Sequence, residues 1–103
     1  MPPFLQALPP TERGTPLIID TPDRQGLLKE ILDYISQLQL NIVMAEILTD
    51  GEYAKDKITV NHAGRPLDVA MCERVTTNLR DQLIEGYKSY VAKSMEDKHP
   101  VAI

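Results

Sequence analysis

The residues with chemistry to offer are few and scattered. The 103-residue chain holds one cysteine, Cys72, and two histidines, His62 and His99. Cys72 has no second thiol with which to close a disulfide or build a thiolate zinc cage. No basic cluster near it would lower its pKa, and on an amphipathic segment it reads as a small buried hydrophobe. His62 and His99 fall in a loop and in the C-terminal tail, with no Cys or second His at ligand spacing, so no metal site is called for. Asp20 and Asp23 could form an acid–base pair, but roles in a loop and a helix cap account for them more simply. The more informative residue is Gly26, three positions after Asp23 at the entrance of a helix. Glycine there costs up to ~1 kcal/mol relative to alanine. Its missing Cβ would open the first-turn amides to an anion such as a carboxylate, or would allow close packing against the next strand. Asn41 supplies both a donor and an acceptor, unless it bonds local backbone at the start of a strand. No residue is assigned a catalytic role, and no cofactor is implied.

The elements that must position these residues follow from hydrophobic spacing. Leu17-Ile18-Ile19 is an apolar run without alternation, as expected of a strand covered on both faces. Asp23 is placed as the cap of a helix whose apolar face is Leu27, Leu28, Ile31, Leu32, Ile35 and Leu38. Residues 41–49 alternate as a strand, and Asp50-Gly51 is a hairpin turn signal. A two-residue loop there sets Leu48 opposite Tyr53, Glu46 opposite Lys55 and Val43 opposite Ile58, in a return strand from Tyr53 to Val60. Asp56 then points toward the helices, either at the sheet margin beside a Lys or bonded to helix amides. Pro66 suits the first turn of a second helix, followed by Leu67, Met71, Val75, Leu79 and Leu83 at intervals of four. Gly86 is read as its stop and residues 87–92 as a final strand, although Tyr87, Val91 and Met95 would also continue the helical series.

Strand, helix, strand, strand, helix, strand, with both helices burying their stripes on one face of an antiparallel sheet, is a ferredoxin-like α+β sandwich. Residues 1–14, which hold four of the eight prolines, read as an extended arm or linker. The folded domain is expected over 15–93, with a polar tail from 94 to 103. Ile42, Met44, Leu48 and Tyr53 are expected on the sheet face away from the helices. Such an apolar patch calls for a partner, hence a homodimer or a sister repeat.

Composition narrows the function classes. A formal charge of −4 and only five aromatic residues, none of them Trp, argue against nucleic acid as a partner. No apolar run approaches the ~20 residues of a membrane span, so no membrane partner is expected. The N-terminal residues show neither a signal-peptide core nor a transit-peptide pattern.

The ordered set Asp23-Arg24-Gln25-Gly26-Leu27-Leu28, Leu40-Asn41-Ile42, Ala45-Glu46-Ile47-Leu48-Thr49-Asp50-Gly51 and Ala54-Lys55-Asp56-Lys57-Ile58-Thr59-Val60 resembles the ACT domain pattern. The likeness covers about residues 15 to 85. It is strongest to ACT repeats of plant and algal plastid proteins and of uridylyltransferase-type nitrogen sensors. Gln25 stands where the family usually has proline. The resemblance implies a regulatory, non-enzymatic module that pairs with another ACT domain and binds an amino acid where the two meet. Carried over by position, Thr21, Asp23, Gly26 and Leu27 form one wall of that site and Asn41 of a neighbour the other. It also implies the cytoplasm or the plastid stroma, and a link to nitrogen metabolism. The alternatives are a ligand-free pairing module and, more remotely, an acylphosphatase-like hydrolase. The hydrolase would use Arg24 and Asn41, but the glycine-rich phosphate cradle is missing.

Overall fold

The computed structural model describes residues 3–98, and His99 and residues 100–103 of the expected tail lie outside the described residues. Six elements follow one another: β1 (Phe4–Ala7), β2 (Thr15–Pro22), α1 (Leu27–Gln37), β3 (Asn41–Asp50), β4 (Tyr53–Asn61) and α2 (Val69–Lys98). The strands form one antiparallel sheet in the order β1-β2-β4-β3. Leu5 of β1, Leu17 and Ile19 of β2, and Ala54, Ile58 and Val60 of β4 share one buried cluster with the apolar faces of the two helices. The α+β class and the ferredoxin-like layering of a four-stranded antiparallel sheet and two helices are therefore as expected.

The order of elements differs from the expectation in one place. The edge slot beside β2, assigned to a strand at 87–92, is filled by residues 4–7 of the proline-rich arm, with Leu5 opposite Ile19 and Ala7 opposite Leu17. Residues 87–92 are instead helix, and so are 94–98, the start of the expected polar tail. Two physical facts decide this. Leu5 is 6% exposed, so β1 closes the core and leaves no vacancy for another strand. Gly86, taken as a helix stop, is a site of close approach: a Cβ there would lie 2.5 Å from the Arg24 guanidinium and 2.6 Å from a Glu30 carboxylate oxygen. The glycine lets α2 pass over the ion pair of Arg24 and Glu30 at the entrance of α1. At 30 residues α2 is about 45 Å long, well beyond the span of an eight-residue strand.

Within the sheet, the expected hairpin forms with its register moved by two residues. Gly51 and Glu52 make the loop, Asp50 pairs with Tyr53, and Leu48 pairs with Lys55. Glu46 now faces Lys57 rather than Lys55, so the cross-strand charge pair survives with the neighbouring lysine. A bulge at Val43 brings Ile42 opposite Val60 and Met44 opposite Thr59. Asp68 starts α2, its carboxylate accepting from the Met71 amide at 2.7 Å, so Pro66 and Leu67 precede the helix rather than opening it. The Leu67 amide donates to Thr15 Oγ1 at 2.9 Å, fastening that approach to β2.

Candidate functional site

At the mouth of α1 the chain makes a turn whose amides are partly committed. Gly26 is the residue before the helix, with φ 81°, and no side chain caps the helix. Asp23 is therefore not the expected cap; its own amide donates to the Glu52 carbonyl at 2.7 Å, tying this turn to the β3–β4 hairpin. Glycine is needed at 26 for its left-handed backbone, since a Cβ there would meet nothing within 4 Å. Of the two readings of that glycine, close packing is excluded and an open approach remains. The Leu27 amide donates to the Arg24 carbonyl at 3.1 Å, so it is not a free donor. A shallow depression of about 340 Å³ lies beside Gly26, lined by Lys29, Glu30, Asp33 and Gln82.

The five residues assigned to a ligand do not meet within one protomer. Thr21 and Leu27 are buried, 3% exposed each, and Asp23 and Gly26 are exposed at the same end of the sheet. Asn41 begins β3 at the other end, roughly 30 Å away along a ten-residue strand. Its Nδ2 donates to Asn61 Oδ1 at 3.0 Å, and the same oxygen accepts from the Gly64 amide at 3.3 Å. Arg24 lies with Asp23 and far from Asn41. Its side chain is 7% exposed and paired with Glu30, so the two residues of a phosphate-hydrolysing reading are neither adjacent nor free.

Three of the four expected interface residues, Ile42, Met44 and Leu48, lie on the edge strand β3, and Tyr53 opens β4 beside it. Met44, Leu48 and Tyr53 stand on the sheet face away from the helices, but the Val43 bulge turns Ile42 to the helix side with Val60. That correction enlarges the patch, because β3 is exposed on both of its faces: Ile42, Val43, Met44 and Ile47 are 40–42% exposed and Leu48 is 65% exposed.

Asp56 is the buried acid of the sheet. It lies on the helix face of β4, opposite Ile19 and Ile47, at 3% exposure. Its Oδ1 has no hydrogen-bond partner among the described residues. Burial raises its pKa first and the negative charge of Asp23 raises it further, with the Leu48 backbone acting the other way. Among the described residues no helix amide donates to it, so the helix-bonding role expected of it does not form there.

A feature the sequence reading missed lies at the hairpin end. Tyr87 and Tyr90, one helical turn apart on α2, have their rings 6.5 Å apart. With Pro22, Asp23, Glu52 and Tyr53 they line a cavity of about 520 Å³. The four-residue series continuing through Tyr87 is the signal for helix here, against the strand expected at 87–92.

No family model matches the chain. It is similar to the "ACT domain-containing protein DS12, chloroplastic" of Oryza sativa subsp. indica and to its namesake in subsp. japonica, 33% identical over 64 residues in each case. That alignment takes in 62% of this chain and 23% of the relative, so the chain spans about a quarter of the length of the curated proteins it matches. The similarity agrees with the fold in supporting an ACT-type layout. Among the described residues no helix is long and apolar enough to cross a membrane, and no group of three or more potential metal ligands occurs.

Proposed function

We propose that this chain is a regulatory ACT module that pairs with a second copy, or with a sister repeat, along β3 and binds an amino acid at the junction. The observation that carries the reading is the bare apolar edge of β3, ten residues long. An edge of that length presents unpaired backbone groups beside apolar side chains, which is a template for strand pairing. Antiparallel pairing of two β3 strands centred near Ala45 and Glu46 sets Asn41 of one copy at the hairpin end of the other, beside Asp23 and Gly26. The pairing therefore reassembles two half-sites that one protomer keeps apart. A zwitterion suits the result, its carboxylate toward the exposed turn at Gly26 and its ammonium toward Asp23 or the Asn41 carbonyl oxygen. The chloroplastic relatives support the plastid as the compartment.

Thermal unfolding in the presence of each of the twenty amino acids tests this. One of them should raise the melting temperature by about 10–20 °C at a hundredfold excess over its Kd, a stabilisation of about 2.7 kcal/mol. Asn41→Ala should remove the rise without lowering the unliganded melting temperature by more than a degree or two. Absence of any shift across the set defeats amino-acid sensing. One observation favours the ligand-free alternative, the Leu27 amide already bonded to Arg24, and in that case dimerisation survives while every titration stays flat.

A further inference from the structure

We propose that the cavity between the β3–β4 turn, the β2–α1 turn and the tyrosine-bearing stretch of α2 binds an organic cation, a guanidinium or alkylammonium head on a short aliphatic stem. This site lies within one protomer and does not depend on the pairing proposed above.

Three of the chain's five aromatic residues, Tyr53, Tyr87 and Tyr90, converge on this one cavity. Aromatic faces attract a cation within about 6 Å of the ring centre through their quadrupole. Tyr87 and Tyr90 stay 37% and 40% exposed, so their faces are not consumed by the core. Their spacing of three on a helix presents both rings on one side, and α2 carries them there only because it continues through Gly86.

The charge of the corner has the matching sign. Asp23 and Glu52 stand on the wall of the cavity, and neither takes part in an ion pair among the described residues. Among the described residues no Lys or Arg lines it. Three electron-rich rings with two carboxylates and no resident cation are complementary to a soft, weakly hydrated cation, which a guanidinium is. A cavity of about 520 Å³ is within the range of small-molecule sites and admits such a head with its stem.

The experiment titrates the full chain with agmatine, with a capped Gly-Arg-Gly peptide, and with N-butylurea as a neutral isostere. The chain has no Trp, and three of its four tyrosines line the site, so tyrosine fluorescence is weighted toward it, and calorimetry supplies an independent signal. Agmatine is expected to bind saturably and N-butylurea not at all. Tyr90→Ala and Glu52→Gln should each weaken agmatine about tenfold. Both positions are exposed enough for circular dichroism to confirm an intact fold. Binding of the peptide but not of agmatine identifies an arginine side chain of a protein as the source of the same cation. Equal binding of N-butylurea, unchanged affinity in Tyr90→Ala, or no binding of either cation overturns the proposal. The titration repeated on a Leu48→Lys monomer separates it from the pairing: agmatine should bind there as it does to the wild type.

Discussion

The two edges of the sheet are built on opposite plans. β1 is four residues long, follows the buried Pro3 and precedes Pro9 and Pro10, and lies under α2, with the Arg80 guanidinium 3.5 Å from the Leu5 carbonyl. Short length, flanking prolines and a covering helix are the usual means of closing an edge to unwanted pairing. β3 is ten residues long, has no proline, carries five large apolar residues at 40% exposure or more, and has α1 over only part of it. The fold shields one edge with its own N-terminal segment and leaves the other long, apolar and open, which is the edge that the proposed pairing uses. The largest effect that tests the contrast lies on the closed side. Leu5→Ala removes a buried side chain from the cluster and should cost about 2–3 kcal/mol in urea unfolding, a fall of ~10–20 °C in melting temperature for a domain this size. Phe4→Ala, one residue away but 54% exposed, should stay within about 0.5 kcal/mol. Equal responses from the pair would show that β1 is no part of the cooperative unit.

The open side calls for a different readout. Leu48 is 65% exposed, so Leu48→Lys should leave unfolding of the isolated chain unchanged within about 0.5 kcal/mol. In sedimentation equilibrium it should weaken self-association tenfold or more, equivalent to about 1.4 kcal/mol. A wild type that stays monomeric at tens of micromolar, an order-of-magnitude working range for specific pairing, defeats the homodimer and leaves only a sister domain for the edge.

How much of this contrast was legible beforehand differs between the two edges. The β3–β4 hairpin was visible in the alternation of 41–49 and the Asp50-Gly51 turn, and Leu17-Ile18-Ile19 announced a central strand by its lack of alternation. The bulge at Val43 was not, because a single extra residue changes no local pattern; it shows only when the far end of β3 must pair with Asn61. The closed edge was misplaced for a tertiary reason. Phe4–Ala7 and 87–92 both have weak strand patterns, and only closure of the core around Leu5 decides between them. The same error hid the tyrosine-lined cavity, since Tyr87 and Tyr90 share a side only on a helix. At Gly26 the glycine is explained by backbone handedness, which no residue pattern displays, and the cap expected of Asp23 does not form.

Asp56 sharpens the comparison from within, because it lies on β4 beside the open edge, opposite the 42%-exposed Ile47. Burial and the Asp23 charge raise its pKa, so its ionisation opposes folding. Folding stability should therefore rise as pH falls through the raised folded-state pKa and level off below the unfolded value near 3.9. Asp56→Asn removes the charge at constant shape and should raise stability at pH 7 by about 1 kcal/mol. The gain should shrink on acidification, as the wild-type carboxyl protonates by itself. Asp56 is already 3% exposed, so the stabilisation should be the same at concentrations where the chain is dimeric. A destabilised Asp56→Asn at pH 7 would mean that the carboxylate satisfies a partner across that edge.

The smallest effect concerns the link between the two sides. α2 covers the closed edge, and at Gly86 its backbone rests on the Arg24–Glu30 pair at the entrance of α1. Glycine inside a helix forgoes up to about 1 kcal/mol relative to alanine, yet an alanine here must push aside the ends of two paired side chains, one of them 7% exposed. The two terms nearly cancel, and Gly86→Ala alone should change stability by less than about 0.5 kcal/mol. In an Arg24→Ala, Glu30→Ala background the obstruction is gone, and the same change should stabilise by about 1 kcal/mol. Double-mutant analysis isolates that coupling. A zero coupling would detach α2 from the α1 entrance, and with it the placement of Tyr87 and Tyr90 over the Asp23 turn; a coupling near 1 kcal/mol makes the ion pair the contact that holds the long helix across the molecule.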